Sequence, residues 1–380
     1  MCDVRSKGCA FSAEKKPICK REGYTIKKMT RRLLFVLRLA LGMLLLGGCG
    51  ALPAPAAQAT PLAASPSAPP SLTPFRAASA TPTAAATATF TPPPLTATPT
   101  LTSTPVARVS RVLIMSFDGL RPDAIAQAPM PKLGALMKAG AYTLVAQTIF
   151  PSVTLPSHTS MLLGTCPSQH GVNWNDYLPE NGYAKGTSVF ALAKQAGLYT
   201  VFITGKKKLR QITPPDTTDY FQFINDNDTV VAKDAAPILK KGFDLAFIHF
   251  ATIDDMGHNY GWLSPQQLNV IRHADEALAT VLEALDQAGL RESTLIIVTA
   301  DHGGHKQTHG TRMPEDMTIP WIVNGPGVVA HPITAPVSTT DTAATAAWAL
   351  GLTPPSDWVG RPVTEAFGLI PTARAEPRCP

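Results

Sequence analysis

Seven side chains that could bind metal or attack phosphorus are spread over about 190 positions of the chain. They comprise three aspartates, three histidines and a threonine: Asp118, Asp254, Asp301, His258, His302, His309 and Thr154. Carboxylate oxygens are hard ligands, and imidazoles suit borderline metals such as zinc. Two divalent ions roughly 3.5–4 Å apart can clamp the attacking and leaving oxygens of a displacement at phosphorus. The residue types therefore predict a two-metal site, with Zn²⁺ expected and Mn²⁺ as the alternative.

Three short apolar runs lead into the acidic segments. Residues 112–117, 245–250 and 295–299 each end at or shortly before one of the aspartates. Short apolar runs bounded by turn signals are typical of buried parallel strands. Ligands of open α/β sheets bind at the carboxyl ends of such strands. We therefore predict a doubly wound, mostly parallel α/β sheet with helices on both faces, which brings the three segments together.

The spacing within the segments assigns neighbours to shared ions. Three residues separate Asp254 from His258, which would let one loop present both to a single ion. Asp301 and His302 are adjacent, and the glycines that follow let the backbone turn away. A single aspartate after a strand more often caps a helix or a turn, so the prediction depends on the combination.

Four motifs together resemble the type I phosphodiesterase/nucleotide pyrophosphatase family of the alkaline phosphatase superfamily. They are residues 116–123 (SFDGLRPD), 154–158 (TLPSH), 254–261 (DDMGHNYG) and 299–303 (TADHG). The resemblance covers about residues 109–370 and implies an alkaline phosphatase-like catalytic domain. It also implies a division of the ligands: Asp254, His258 and His309 hold one ion, and Asp118, Asp301 and His302 hold the other, with Thr154 beside the second.

Thr154 is the predicted nucleophile. It precedes a helix predicted over residues 156–163, where the helix dipole favours an oxyanion. In the family that this chain resembles, the matching threonine takes up the phosphoryl group and water then releases it. Capping the helix is the alternative role for Thr154. Three neighbouring hydroxyls could compete with it: Ser157, Thr159 and Ser160. Only Thr154 fits the Thr-x-Pro-x-His pattern. His158 is expected to make local hydrogen bonds.

Asn175 resembles the family's transition-state asparagine, with Asn173 as the alternative. His305 and His309 both follow the Asp-His-Gly motif; we choose His309, because the sequence after it resembles the segment before the next core strand in superfamily members.

The Lys206–Lys208 run follows another apolar segment. Lys206 and Lys208 are predicted to contact a substrate anion, although a short lysine run is more often solvated surface. A similar segment occurs in phosphonoacetate hydrolase, a superfamily relative.

The first 107 residues indicate export. Residues 1–28 do not fit a signal peptide, and Met29 is the expected start. Residues 29–49 carry basic residues, about 14 apolar residues and a Leu-Gly-Gly-Cys ending that resembles a bacterial lipobox, with lipid on Cys49. An uncleaved anchor is the alternative, but it needs about 20 apolar residues. Residues 50–107, rich in Ala, Thr and Pro, predict a disordered stalk, and residues 108–380 the catalytic domain.

Charge and cysteine content limit the partners. The formal net charge is +6, but residues 1–48 hold 11 basic and 3 acidic residues, which leaves 22 basic against 24 acidic residues, or −2, for the remainder. No nucleic-acid-binding module is indicated. Cys166 and Cys379 could form a disulfide in an exported domain.

We therefore expect a membrane-anchored lipoprotein outside the bacterial cytoplasmic membrane that hydrolyses phosphodiester or pyrophosphate bonds of small substrates such as nucleotides. Phosphomonoester or phosphonate hydrolysis at the same site is the alternative. A catalytically inactive surface-binding domain is a further alternative that the intact ligand set disfavours.

Overall fold

The computed structural model of the protein describes residues 109–373 and residue 379. The predicted leader (1–28), signal peptide (29–49) with Cys49, and stalk (50–107) lie outside the described residues. Among the helices that are described, none is both long and apolar enough to cross a membrane.

One eight-stranded sheet forms the centre of the described domain. Its strands are β1 (Arg111–Phe117), β2 (Ala141–Gln147), β3 (Thr200–Thr204), β4 (Tyr220–Phe223), β5 (Leu245–Phe250), β6 (Thr294–Thr299), β7 (Thr318–Asn324) and β8 (His331–Pro332). They lie in the order β4-β3-β5-β1-β6-β7-β2-β8. The β7 strand is antiparallel to both of its neighbours, and all other pairs are parallel. The prediction of a mostly parallel α/β sheet is confirmed.

Ten helices cover the sheet. They are α1 (Pro122–Gln127), α2 (Pro131–Ala139), α3 (Thr154–Leu163), α4 (Pro167–His170), α5 (Val189–Gln195), α6 (Asp228–Leu239), α7 (Thr252–Tyr260), α8 (Pro265–Gln287), α9 (Pro314–Met317) and α10 (Asp341–Ala349) in the described part of the chain. The α2, α6 and α7 helices pack against α8, and α3 and α5 pack against α10.

The three central strands end at the same level. All residues of β5 and β6 are buried, as are all but the first of β1, which explains their unbroken apolar character. Phe117 pairs with Phe250, and Ser116 pairs with Thr299, so the segments that follow these strands leave one edge of the sheet side by side.

Two predictions of local structure are corrected. Asp254 and His258 were expected on a loop, but both lie on α7, four residues apart, so they stand on one face a helical turn from each other. The helix expected to begin at residue 156 begins at Thr154, and the capping position is Val153. Thr154 therefore lies in the first turn.

Asp228 attaches the start of α6 to the start of α7. Its Oδ1 accepts hydrogen bonds from the Thr252 backbone N–H (3.0 Å) and hydroxyl (2.8 Å), and Thr252 is the first residue of α7. Its Oδ2 is buried and has no partner among the described residues. Burial raises the pKa of Asp228 to about 6, although the bonds from Thr252 lower it. The ionised carboxylate is therefore destabilising in the folded protein.

We expect Asp228→Asn to stabilise the protein above pH 6. Because the folded pKa exceeds the unfolded value, stability of the wild type falls as pH rises from about 4 to about 6, by up to about 3 kcal/mol. An asparagine keeps the acceptor for Thr252 and does not ionise. Urea unfolding of both proteins from pH 4 to 8 measures the difference; equal stabilities at all pH values would contradict it.

A disulfide joins Cys166, at the start of α4, to Cys379. The sequence left this pairing open. The bond links the C-terminal end of the chain to the segment between Thr154 and Asn175.

Candidate active site

Five buried polar atoms without hydrogen-bond partners among the described residues belong to the predicted site. They are Asp118 Oδ1, Thr154 Oγ1, Asp254 Oδ1, Asp301 Oδ2 and His302 Nε2. An unpartnered buried polar group costs about 1–3 kcal/mol, and more if it is charged. Five such atoms from four segments are the pattern expected where ligand atoms face a cation.

The first candidate metal group contains Asp254, His258 and His309. Their ligand atoms lie within 4.8 Å of one another. Asp254 Oδ1 is 3.5 Å from Nε2 of each histidine, and the two Nε2 atoms are 3.1 Å apart. The α7 helix carries the first two residues, and the loop after β6 carries His309.

The second group contains Asp118, Asp254 and His302, again within 4.8 Å. The sequence assigned Asp301 rather than Asp254 to this group. Asp301 is nevertheless adjacent, because its Oδ2 lies 3.2 Å from His302 Nε2, while Asp118 Oδ1 lies 3.3 Å from the same nitrogen. Asp254 thus belongs to both groups, which places them side by side.

Each of the three histidines donates its Nδ1–H to a backbone carbonyl. The acceptors are Gln307 O at 3.0 Å for His258, Gly303 O at 2.7 Å for His302 and Ser152 O at 2.9 Å for His309. This arrangement fixes the rings and leaves Nε2 as the atom that faces the other ligands. The lone pairs of His258 and His309 therefore point toward each other, an arrangement that a cation between them would stabilise.

The aspartates are also held from behind. Asp118 Oδ2 contacts His249 Nε2 (2.9 Å) and Lys206 Nζ (2.8 Å), and Lys206 also contacts Asp254 Oδ2. Asp301 Oδ1 accepts the Gly119 N–H at 3.2 Å. One oxygen of each carboxylate is thus occupied, and the other faces the metal groups. The second oxygen of Asp301 also lies 3.3 Å from His158 Nδ1. The donor set fits two divalent cations.

His249 was missed by the sequence analysis. It lies inside the buried strand β5, and its Nδ1 accepts the Gly205 N–H at 3.2 Å. That bond leaves Nε2 protonated, so His249 donates to Asp118. Burial lowers the pKa of His249 to about 4, which keeps the ring neutral. A lone histidine in an otherwise apolar strand was the available signal.

The electrostatics of the site indicate an excess of negative charge. Burial opposes charge on His302, but Asp301 and Asp118 raise its pKa to about 9. Burial likewise opposes charge on Lys206, and Asp118 and Asp254 outweigh it and raise its pKa. Burial would raise the pKa of Asp118, but Lys206, His249 and His302 hold it well below its usual value. The carboxylates thus favour cations at their positions.

Thr154 and Asn175 lie at the N-terminus of α3. Thr154 Oγ1 makes no capping bond, so the alternative role as a helix cap does not hold. Asn175 Oδ1 accepts the Leu155 N–H at 2.9 Å, which fixes its amide beside the first turn, and its Nδ2 has no partner in the described part of the chain. Asn173, the alternative, is exposed and makes no such bond.

Two further histidines of the sequence motifs, His305 and His158, have structural partners. His305 Nδ1 contacts Asp316 Oδ1 at 2.7 Å, while Asp316 Oδ2 accepts from the Thr311 N–H and hydroxyl, so this pair braces the loop that carries His309. His158 donates to Thr154 O (2.9 Å), and its Nε2 contacts the Ser116 hydroxyl at 2.8 Å. Of the two histidines after the Asp-His-Gly motif, His309 lies in the metal group.

The charge of Lys208, which is half-buried, is influenced by the site carboxylates. Burial and Lys206 lower its pKa, whereas Asp118, Asp254 and Asp301 raise it. Its ammonium has no bonded partner among the described residues. Lys207, between the two, lies over the Tyr177 ring at 4.5 Å and is exposed.

The sequence profile of the type I phosphodiesterase/nucleotide pyrophosphatase family matches residues 112–315, a range that contains every residue of both metal groups. The chain belongs to this family.

Two human proteins illustrate the similarity. The catalytic subunit of GPI ethanolamine phosphate transferase 2 is 30% identical over 282 residues, 68% of this chain and 28% of the relative. Ectonucleotide pyrophosphatase/phosphodiesterase family member 5 is 24% identical over 212 residues, 51% of this chain and 44% of the relative. The chain thus spans less than half the length of either relative.

Solved structures share the fold. Murine ectonucleotide pyrophosphatase/phosphodiesterase 5, in an inactive form in complex with AMP, matches with a TM-score of 0.56 and 18% identity over 65% of this chain and 96% of its own. A wild-type alkaline phosphatase matches with a TM-score of 0.59 and 14% identity over 69% and 99%. The type I phosphodiesterase family domain therefore has the alkaline phosphatase-like fold that the motifs implied.

Proposed function

We propose that this protein is a two-metal hydrolase of phosphodiester or pyrophosphate bonds in small phosphorylated substrates such as nucleotides. The observation that carries the proposal is the set of five buried atoms without a hydrogen-bond partner among the described residues. On the three aspartates and the histidine of this set, the other polar side-chain atom is fixed by the protein. Membership of the family supports this reaction class.

In this proposal each metal group holds one ion. Asp254, His258 and His309 would hold one ion, and Asp118, His302 and Asp301 the other. When bound, two divalent ions would lower the pKa of the Thr154 hydroxyl and stabilise charge on the attacking and leaving oxygens. Zn²⁺ suits the mixed nitrogen and oxygen donors, with Mn²⁺ as the alternative.

Thr154 would act as the nucleophile. Its Oγ, once the hydroxyl proton has passed to solvent, would form a bond to phosphorus as the bond to the leaving oxygen breaks. With a diester substrate the resulting phosphothreonine still carries the other ester group, and water then hydrolyses its bond to Oγ. The hydroxyl lies in the first turn of α3, where the helix dipole favours negative charge. No hydrogen bond within the described structure has to be broken before it reacts.

Asn175 would stabilise the transition state. Its carbonyl is held by Leu155 N–H, so the amide NH₂ is oriented beside Thr154 and available to a phosphoryl oxygen. A preorganised donor of this kind contributes about 3 kcal/mol to lowering a barrier.

The proposal also includes the location. The lipobox-like ending at Cys49 and the Pro/Thr-rich stalk support a lipid-anchored enzyme on the outer side of the membrane. A disulfide between Cys166 and Cys379 agrees with an oxidising compartment.

The test is metal content together with hydrolysis by the purified protein. Zinc-loaded protein is compared with chelator-treated protein on bis-p-nitrophenyl phosphate and p-nitrophenyl phosphate. We expect two ions per chain and a preference for the diester that chelation abolishes. Bound metal without hydrolysis of either compound would favour the surface-binding domain, and the absence of metal binding would overturn the proposal.

Lys206 and Lys208 favour a second candidate, hydrolysis of phosphomonoesters or phosphonates. These substrates carry one more negative charge than a diester. Two lysines beside the site, one of them without a bonded partner, could bind that additional charge.

We expect Lys208→Met to separate the two candidates. If Lys208 binds the additional charge, kcat/KM for the monoester falls at least about 10-fold, equivalent to about 1.4 kcal/mol, while that for the diester changes little. Lys207→Met is the matched control, because Lys207 is exposed over Tyr177. Equal losses on both substrates would remove the support for the second candidate.

A further inference from the structure

We infer that Trp262 is a positioning residue that sets the spacing between the two metal groups. It directly follows Gly261, the residue that caps the C-terminus of α7. The inference rests on the proposed function. The sequence alone assigned this aromatic residue to core packing. The structure instead places the indole, 8% exposed, between the segments that carry the ligands.

The indole makes a hydrogen bond to the segment of the second group. Its Nε1–H donates to Gly119 O at 2.9 Å, immediately after Asp118. Gly304 follows His302 by two residues, and a β-carbon there would overlap the indole ring. The backbone on both sides of the second group thus rests on Trp262.

The same ring contacts the first group. A β-carbon at Gly257 would lie 2.8 Å from Trp262 Cδ2, so the indole packs directly on the helix backbone beside His258. The ring centroids of Trp262 and His258 are 5.3 Å apart with an interplanar angle of 85°, and His309 lies 5.8 Å away at 66°. Two of the three ligands of the first group therefore meet the indole edge to face.

These contacts connect segments that are distant in sequence. The backbone N–H of Trp262 donates to Lys306 O, which holds the residue against the loop between His302 and His309. A rigid aromatic ring that touches all three segments determines how far apart their ligands stand. Because residues that orient metal ligands affect affinity without binding the metal, the effect of changing Trp262 should appear in metal binding.

The experiment compares Trp262→Phe with Trp358→Phe in the full chain. Trp358 is a matched control: it is 7% exposed, its Nε1–H donates to Thr187 O at 3.1 Å, and it packs on Gly164, so its hydrogen bond and this packing contact lie outside the segments that carry the metal ligands. Zinc affinity is measured by competition with a chromogenic chelator, and kcat and KM are measured separately.

We expect both variants to lose similar thermal stability. Only Trp262→Phe should weaken zinc binding, by about 10- to 100-fold, and lower kcat at saturating zinc more than it raises KM. Gly304→Ala is the second variant, because it displaces the indole while all ligands remain; it should weaken zinc binding in the same way even if Trp262→Phe fails to fold.

The outcomes separate the two levels of inference. A wild type that binds two ions, with Trp262→Phe and Gly304→Ala no weaker than Trp358→Phe, would overturn the role of Trp262 and leave the proposed function intact. A wild type that binds no metal would overturn both.

Discussion

Replacing Thr154 with alanine is expected to reduce kcat at least about 10³-fold, because the substitution removes the attacking oxygen. The folded state should be nearly unaffected, with a change in unfolding free energy within about 1 kcal/mol, since the hydroxyl makes no hydrogen bond that would be lost. Steady-state hydrolysis of a nitrophenyl diester and thermal unfolding measure the two effects.

Neighbouring hydroxyls supply the controls. Thr159 lies on the same buried helix, but its hydroxyl donates to Leu155 O at 2.7 Å, so Thr159→Ala should cost stability and keep activity. Thr154→Ser keeps an attacking oxygen and should retain measurable turnover. Acid quenching during turnover of the nitrophenyl diester, followed by mass spectrometry, should detect a nitrophenyl phosphoryl group on the Thr154 peptide of the wild type. Activity of Thr154→Ala close to the wild-type rate would refute the assignment.

Much of the fold could be predicted because the central strands are buried on both faces. The continuous apolar runs of β1, β5 and β6 follow from that burial, and the predicted ends lie within a residue of those in the structure. The acidic residues that follow these strands gather at one edge of the sheet for the same reason. This part of the site depends on local sequence and sheet topology alone.

The parts that sequence could not supply depend on distant contacts. The segment around Asp254 contains polar residues and Gly257, which weakly favour a helix, yet α7 forms because it packs on α8 and because Asp228 binds its first residue. His249 contacts Asp118, which is 131 positions away in the sequence, and no local sequence pattern predicts that contact. From its residue type, Trp262 was expected in the core. Only the structure shows that Gly257 and Gly304 pack on its ring.

Lys206 illustrates the difference between residue type and role. A lysine run next to a predicted anion site suggested contact with substrate. In the structure Lys206 also pairs with the two aspartates that belong to different metal assignments, Asp118 and Asp254, on the oxygens that face away from the ligand cluster. It therefore helps to orient both carboxylates, a role that can coexist with contact to a substrate anion.

Replacing Asp254 with asparagine is expected to remove both metal ions, because Asp254 is the ligand that the two groups share. His258→Ala should remove only the ion of the first group, since His258 Nε2 contacts Asp254 and His309 and belongs to that group alone. Elemental analysis after gel filtration should therefore give two ions for the wild type, one for His258→Ala and none for Asp254→Asn. Each ion lost removes about 4 kcal/mol of stabilisation when free metal exceeds Kd about 1,000-fold.

Asp255 and Asp301 make the comparison specific. Asp255→Asn removes a neighbouring exposed carboxylate outside both groups and should bind two ions. Asp301→Asn separates two assignments of the second ion. The sequence motifs assign Asp301 as one of its ligands, whereas the closest group in the structure contains Asp254 instead. Loss of one ion in Asp301→Asn means that four side chains serve the second ion, because Asp301 Oδ2 then acts together with Asp118, His302 and the shared Asp254. Retention of both ions in Asp254→Asn would show that the two groups do not share this carboxylate. The ion pair with Lys206 would then account for the position of Asp254.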